Sequence, residues 1–597
     1  MKQVSLRLGA QQRPDTPLKP GDPAFEHPTA EARRATSDAR HRVLPTLVDL
    51  LVILLIMGYV LALLPGLTRF PPLINDEGRE ANLFWVASGA EPDAQRMNAH
   101  RGFATWGTGG LQGATTAALF RLGGVGVFQA RLTSLLWGGL LLIAVYLLGR
   151  LYWGRAVGLA AVALLAVSNP FLLSTHTLRP DIQVATLTVG ALALAEWGVA
   201  RGPPWAALLA GLSIGLSVDT HLNSIGFIPL VGLVFPLRQG WPRVGVPRAH
   251  GVRPYRGGGR DARAPRWGFL GQREAWLFGA GLAGAAVYYL AVRVLPDPAG
   301  FATAMGYWLG VDKAPPATRG GAALVGMLGA ELARYWDYFG EEPLELGLVL
   351  LGLGAGLWWA VRGSHPARLI LLGLGAAFIF FVLAVSMKSK FYMLLTYPFY
   401  LLLVARLLER VAVAVGSRLA VSRLVGATRR SPRLEGSDVR ATGRSPLPVM
   451  PVTHLVLAGL VTLVALIPLR AEERAWDNYI RARRYREGQE YTALTTQLDR
   501  LAGPDARVMA PPLYWIGLRN HPYVDIFVYE RLERQYGMSV AQFLDETRPD
   551  FVITDAKIAT ESRVEKLLYN ELDARAARQF VVRHKSYGDV AVYRLDW

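Results

Sequence analysis

The sequence predicts an all-α polytopic membrane protein of about eleven transmembrane helices, followed by a small α/β domain at the C-terminal end. Three observations carry this. Of 597 residues, 52% are hydrophobic and only 18% charged, with a mean hydropathy of +0.25, a balance too apolar for a soluble multidomain chain. Apolar stretches of roughly 17 to 25 residues recur, each long enough to cross a hydrocarbon core of about 30 Å as a helix with its backbone groups satisfied internally. The alternating segments of ~10 residues that a membrane barrel needs do not occur before the C-terminus.

Taken in order, the first 42 residues are polar and Pro-rich and lack an apolar core with a small-residue cleavage site, so they read as a disordered cytoplasmic tail rather than a cleaved leader. A transmembrane domain is expected over 43–469, with spans near 44–64, 127–149, 155–173, 181–200, 204–218, 222–237, 275–295, 346–361, 367–386, 391–408 and 453–469. Counting crossings from a cytoplasmic N-terminus places Arg150 to Arg155, Arg201, Arg362 to Arg368 and the basic loops 238–274 and 409–452 in the cytoplasm. This is the side on which Lys and Arg accumulate in membrane proteins. The other side receives the first outer loop, 65–126, in which Glu80–Ala90 and Leu111–Leu122 have the pattern of interfacial helices. It also receives a loop of about 50 residues before Leu346, and everything from 470 to 597. In that last stretch Arg507–Pro511, Phe551–Asp555 and Asp589–Leu595 read as strands, and Val540–Glu546 and Val564–Arg578 as helices.

Lys and Arg exceed Asp and Glu by 64 − 46 = 18. Because the excess lies mainly in the two long loops and the N-terminal tail, it anchors the chain to a bilayer and does not imply a nucleic-acid partner. With no cysteine, disulfides and thiolate metal sites are excluded.

The residues with chemical potential lie at span ends on the outer side. Asn75-Asp76-Glu77-Gly78-Arg79-Glu80 follows the first span and sets two consecutive carboxylates beside an arginine. It is equally the start of a helix, with acids at the positive end of the dipole. A carboxylate so held is well oriented to take a proton from a hydroxyl. Arg179-Pro180-Asp181 opens the fourth span, where Pro suits a first turn and a charge pair belongs at the interface or in a polar cavity. Asp219 and His221 occupy the next outer turn, with His221 more often a helix-end hydrogen-bonding residue than a ligand. Lys388-Ser389-Lys390-Phe391-Tyr392 places two lysines and a tyrosine at a further outer boundary. These are either snorkelling anchors or a site for a lipid phosphate. Arg79, Arg101 and Arg131 are further candidates for that anion.

Taken together, Asn75-Asp76-Glu77, Gln129-Ala130-Arg131-Leu132, Ser168-Asn169-Pro170 with Arg179-Pro180-Asp181, and Lys388 with Tyr392 and Pro398 resemble the bacterial branch of the GT-C glycosyltransferases, which includes protein O-mannosyltransferases and the aminoarabinose transferase. The resemblance covers roughly 44–410. It implies a GT-C-like fold, a polyprenyl-phosphate monosaccharide donor and transfer to a hydroxyl of a protein, glycolipid or glycan outside the cytoplasm. It also implies Asp76 at the catalytic centre with Glu77 beside it and Asp181 as second carboxylate. Lys388, Lys390, Arg179 and Arg79 would serve the donor phosphate, with His221, Tyr392 and Arg131 accessory. This chain has Lys388-Ser389-Lys390 where relatives often carry Lys-Leu-Pro, and Thr220-His221 where many have Thr-Lys. The implied reaction requires no cofactor, and a divalent metal is optional. Other classes compatible with a basic polytopic chain are a lipid or solute transporter, which would bury its charges near mid-membrane in repeated halves, and a non-catalytic assembly subunit.

Overall fold

The computed structural model describes residues 47–87, 110–200, 202–238, 273–302, 321–340, 343–385, 389–429, 450–469, 475–485, 490–529, 532–533, 537–555, 563–584 and 586–597. Helices dominate. The apolar stretches form α1 (Leu47–Leu63), α4 (Val127–Trp153), α7 (Asp181–Ala200), α11 (Arg273–Tyr289, prolonged by a π turn Leu290–Val294), α13 (Pro343–Val361) and α14 (His365–Ala384). Between them lie α2 (Asn75–Ala87) and α3 (Gly110–Gly123) in the first loop, and α5 (Arg155–Ala166) with α6 (Asn169–Thr175), which are bent by 66° at a break where Pro170 opens the second piece. α8 (Trp205–Thr220), the short pieces α9 (Ile228–Gly232) and α10 (Val234–Arg238), α12 (Gly321–Phe339), α15 (Met393–Arg429) and α16 (Met450–Leu469) complete the bundle.

Six of these helices, or seven with the bent pair counted as one span, are long and apolar enough to cross a bilayer. Eleven is reached only if the shorter apolar segments 205–220, 222–238 and 452–466 and α15 cross as well. Polar contacts define two ends of the bundle. At one, the beginnings of α2, α4, α7 and α15 meet. At the other, Glu196 of α7 accepts hydrogen bonds from Arg238 Nε (3.0 Å) and Nη2 (2.6 Å) and from the Tyr152 hydroxyl (3.3 Å), and shares one with His365 Nε2 at 2.8 Å. The broken segment 222–238 therefore runs from His221, beside Tyr392 at the first end, to Arg238 at the second. Side chains such as Leu54, Val287, Leu351 and Leu463, each more than half exposed, face outward from these helices as a lipid-contacting surface requires.

Packing is close where small residues meet. A Cβ on Gly211 of α8 would lie 2.1 Å from the Phe278 carbonyl of α11, and one on Gly281 would lie 2.1 Å from the Leu208 carbonyl. The two backbones touch along this seam.

The stretch before Leu346 contains α12, which the sequence reading leaves as loop. One side of it buries Glu331, Arg334 and Phe339 while Val325 and Trp336 are 72% and 68% exposed. Its charges and glycines mask the apolar run, and only the 3.6-residue spacing of Val325, Leu328, Leu332 and Trp336 reveals a helix.

The C-terminal residues form α17 (Ala475–Tyr485), α18 (Glu490–Ala502), β1 (Val508–Ala510), β2 (Tyr523–Asp525), α20 (Val540–Thr547, after a one-turn α19, Trp515–Leu518), β3 (Phe551–Asp555), α21 (Arg563–Arg575), β4 (Ala576–His584) and β5 (Gly588–Leu595). The sheet order is β2-β1-β3-β5-β4, with β1 parallel to β2 and β3, and β5 antiparallel to β3 and β4. Two strands go beyond the sequence reading. β2 has three residues, too few for a periodicity. The helix read as Val564–Arg578 stops at Arg575, because from Ala576 the chain pairs with β5, Phe580 opposite Val592 and Val582 opposite Val590. The domain does not stand apart, since Leu494, Val508, Leu513, Trp515 and Ile553 share one hydrophobic core with Leu73, Ala81, Phe84, Phe120 and Leu178 from the first-loop helices and the turn before α7.

Candidate active site

The acidic motif opens α2. The Ile74 amide donates to Glu77 Oε1 at 3.3 Å, the backward reach of a third-position acid that satisfies a helix-start donor. Glu77 then does more. Arg131 of α4 donates from Nε to Oε2 and from Nη2 to Oε1, both at 2.7 Å, and the Leu178 amide donates to Oε2 at 3.0 Å. Arg131 Nη1 donates to the Leu67 and Phe70 carbonyls at 2.9 and 3.1 Å. Both side chains are sealed, at 0% and 1% exposure, so this bidentate pair knots together the end of the first span, α2, α4 and the turn before α7.

Asp76 points elsewhere. Arg179 bonds Asp181 from Nε at 2.9 Å and Asp76 from Nη1, bridging two carboxylates. Asp181 is 1% exposed and Asp76 45%, so one acid is a buried brace and the other is open. Burial alone would lower the Arg179 pKa, but Asp181 and Asp76 more than offset it, and the guanidinium is held above its usual range. It also lies 4.3 Å from the centre of the Phe391 ring, a cation–π contact.

Glu80, one turn beyond Asp76, is half-buried. Burial first, and the Asp76 charge second, push its carboxyl up to about 8, so at neutral pH it is an acid with a proton to donate. Arg79 beside it is half-buried and acts on Glu80 in the opposite sense.

His221 and Tyr392 meet edge to face with ring centres 5.7 Å apart, and His221 Nδ1 accepts the Asn223 amide at 3.2 Å. Tyr392 bonds the Asn223 side chain and lies near enough to Asp181 and Arg179 to feel both charges. Asp219 is instead paired with Arg293 in the π turn, Nε to Oδ1 at 2.8 Å. Lys388 and Arg101 lie outside the described residues, as does the side chain of Lys390.

The structure thus gathers Asp76, Arg79, Arg179, Asp181, His221 and Tyr392 around one end of the bundle and sets Glu77 and Arg131 behind them. It brings in Asn223 and Arg334, which the sequence reading passes over, and gives a place in the site to Glu80 and Phe391, which the candidate motifs contain without a role. Arg334, 2% exposed on α12, pairs with Glu331 and lies 5.2 Å from the Phe381 ring centre, which is 6.0 Å from that of Tyr392. Its Nη1 is buried without a hydrogen-bond partner, a costly arrangement unless something else approaches. Helical spacing in the missed α12 is the signal that would have found it. Among the described residues no three His, Asp or Glu side chains are grouped as metal ligands.

The fold, a helical bundle with a small α/β domain packed at one end, is shared with proteins of known structure. The comparisons agree on that fold. Residues 112–247 match the sequence model of the dolichyl-phosphate-mannose-protein mannosyltransferase family. The chain superposes on ArnT from Cupriavidus metallidurans bound to undecaprenyl phosphate with a TM-score of 0.56 and 15% identity, covering 90% of this chain and 97% of that one. Against apo ArnT the TM-score is 0.54, with 16% identity and the same coverage. No curated protein sequence matches the chain.

Proposed function

We propose that the protein is a multi-pass glycosyltransferase of the cell membrane that moves a monosaccharide from a polyprenyl-phosphate donor to an acceptor hydroxyl on the extracytoplasmic face, inverting the anomeric centre. The observation that carries this is the half-open Asp76 carboxylate, fixed by Arg179 against the buried Asp181, at the end of a bundle with a GT-C fold. The acceptor oxygen attacks the anomeric carbon while Asp76 takes its proton. The bond from that carbon to the phosphate oxygen breaks, and its electron pair leaves with the polyprenyl phosphate. No protein acid is needed for so good a leaving group, and the step calls for no cofactor, a divalent metal being optional.

In this reading Lys388, Lys390 and Arg79 neutralise the departing phosphate, and the unpartnered Arg334 Nη1 offers a further donor for it. Arg179 orients the two carboxylates, while His221 and Tyr392 wall the site. Glu77 and Arg131 act as scaffold, because their atoms are spent on one another. All eleven segments cross the bilayer, the N-terminus is cytoplasmic and the 470–597 domain lies outside, where it meets an acceptor protein, glycolipid or glycan.

The test is to supply purified protein in lipid with a panel of polyprenyl-phosphate sugars and follow their consumption. Asp76→Asn is expected to lower turnover by about 10² to 10⁴ with donor KM changed less than a few-fold. Turnover near wild type in that variant would remove Asp76 from the reaction.

A further inference from the structure

The helix that carries Asp76 is gripped from behind by the C-terminal domain. At 100° per residue, Gly78, Ala81 and Trp85 fall on one side of α2, while Asp76 and Glu80 fall on another. On the first side Gly78 has no room at all: a Cβ there would lie 1.8 Å from the Pro512 carbonyl oxygen and 2.5 Å from its carbon. Backbone therefore meets backbone where the Pro512–Tyr514 turn leaves the end of β1. Ala81, fully buried, and Trp85 continue this face into the core shared with Leu513, Trp515 and Val508. A second grip holds the approach to the helix, where the Leu73 amide donates to the hydroxyl of Tyr587, in the β4–β5 turn, at 3.1 Å. Tyr587 is itself packed on Tyr491 of α18, ring centres 6.2 Å apart.

We infer that the C-terminal domain is a positioning element of the reaction, setting the depth and rotation of α2 and so the placement of Asp76 against Arg179. The inference rests on the reading of Asp76 as proton acceptor. Two anchors fix a rod. The Glu77–Arg131 pair fixes α2 to the bundle, and the contacts of Pro512 and Tyr587 fix it to the sheet. The domain accordingly acts on turnover more than on the hold on the lipid donor, because of the proposed phosphate ligands only Arg79 lies on α2 while Lys388, Lys390 and Arg334 lie outside it.

Two variants of the full-length protein test this. Gly78→Ala forces the helix off the Pro512 carbonyl, and Tyr587→Phe removes the hydroxyl that accepts from the Leu73 amide while keeping the ring. Amide hydrogen exchange over 75–87 is expected to rise at least 10-fold in Gly78→Ala and about 3-fold in Tyr587→Phe, with exchange over 127–153 unchanged. In the transfer assay kcat is expected to fall at least 10-fold and about 3-fold respectively, with donor KM within 2-fold of wild type. Unchanged exchange over 75–87 in Tyr587→Phe would overturn the clamp, as would faster exchange with kcat intact, or a donor KM that rises in step with the loss of kcat. The exchange arm uses no substrate. If no polyprenyl-phosphate sugar is consumed by the wild type, the functional reading fails while exchange still decides whether the domain holds α2.

Discussion

Arg131 and Glu77 illustrate how a fully buried charge pair is a liability that only geometry redeems. With two 2.7 Å bonds and every other lone pair of Glu77 aimed at an amide, removal of one partner strands the other. Arg131→Met is therefore expected to destabilise the protein by about 3–5 kcal/mol, and the Glu77→Met/Arg131→Met double variant by less than the single one. Thermal unfolding in detergent reads both; a single variant as stable as wild type would show the pair to be dispensable. Glu80 gives the pH prediction. Its folded pKa of about 8 lies above the ordinary 4.5, so the stability linked to its protonated form is fully present below about 4.5 and lost as pH rises through about 8. In the proposed reaction, ionisation also adds a negative charge beside the anionic donor. Donor KM is expected to rise between pH 7 and 9 in wild type and to stay flat in Glu80→Gln, and parallel profiles would exclude Glu80 as the titrating group.

At the scale of elements, the glycine seam between α8 and α11 sets how near two spans approach. Gly281→Leu drives a side chain into the Leu208 carbonyl, and an overpacking cost of at least 1–3 kcal/mol is expected as a lowered unfolding temperature and loss of detergent-extracted yield. Gly279→Leu, at a position with nothing within 4 Å, is its control. Elements of this kind are what the sequence displays well. Long apolar runs announced α1, α4, α7, α13 and α14 because nothing but a helix satisfies backbone groups in lipid. The motif at 75–80 was legible because two adjacent acids are expensive at a membrane boundary. What was not legible is partnership. Nothing local distinguishes Glu77 from Asp76, yet one is sealed against an arginine 54 positions away and the other is open. Likewise α12 hid its helix under charges, and the first three residues of β4, Ala576–Arg578, read as the end of a helix until β5 supplied their partner.

At the scale of the whole molecule, the alternation of basic loops with outer motifs predicts a topology that the chain's lack of cysteine makes simple to test. A single cysteine introduced as Asp589→Cys is expected to react with a membrane-impermeant maleimide in intact cells, and one introduced as Tyr255→Cys only after permeabilisation. Labelling of both from the same side would overturn the eleven-crossing arrangement. The Glu77 knot has a consequence for biogenesis. Its acid emerges from the ribosome 54 residues ahead of Arg131 and 101 ahead of the Leu178 amide, so throughout that interval the nascent chain carries an unmatched anion at the threshold of the translocon. In the proposed topology the first loop waits in water until the second and third hydrophobic segments have been inserted, and the end of the bundle that holds the candidate site is assembled late, by retrieval rather than in the order of synthesis.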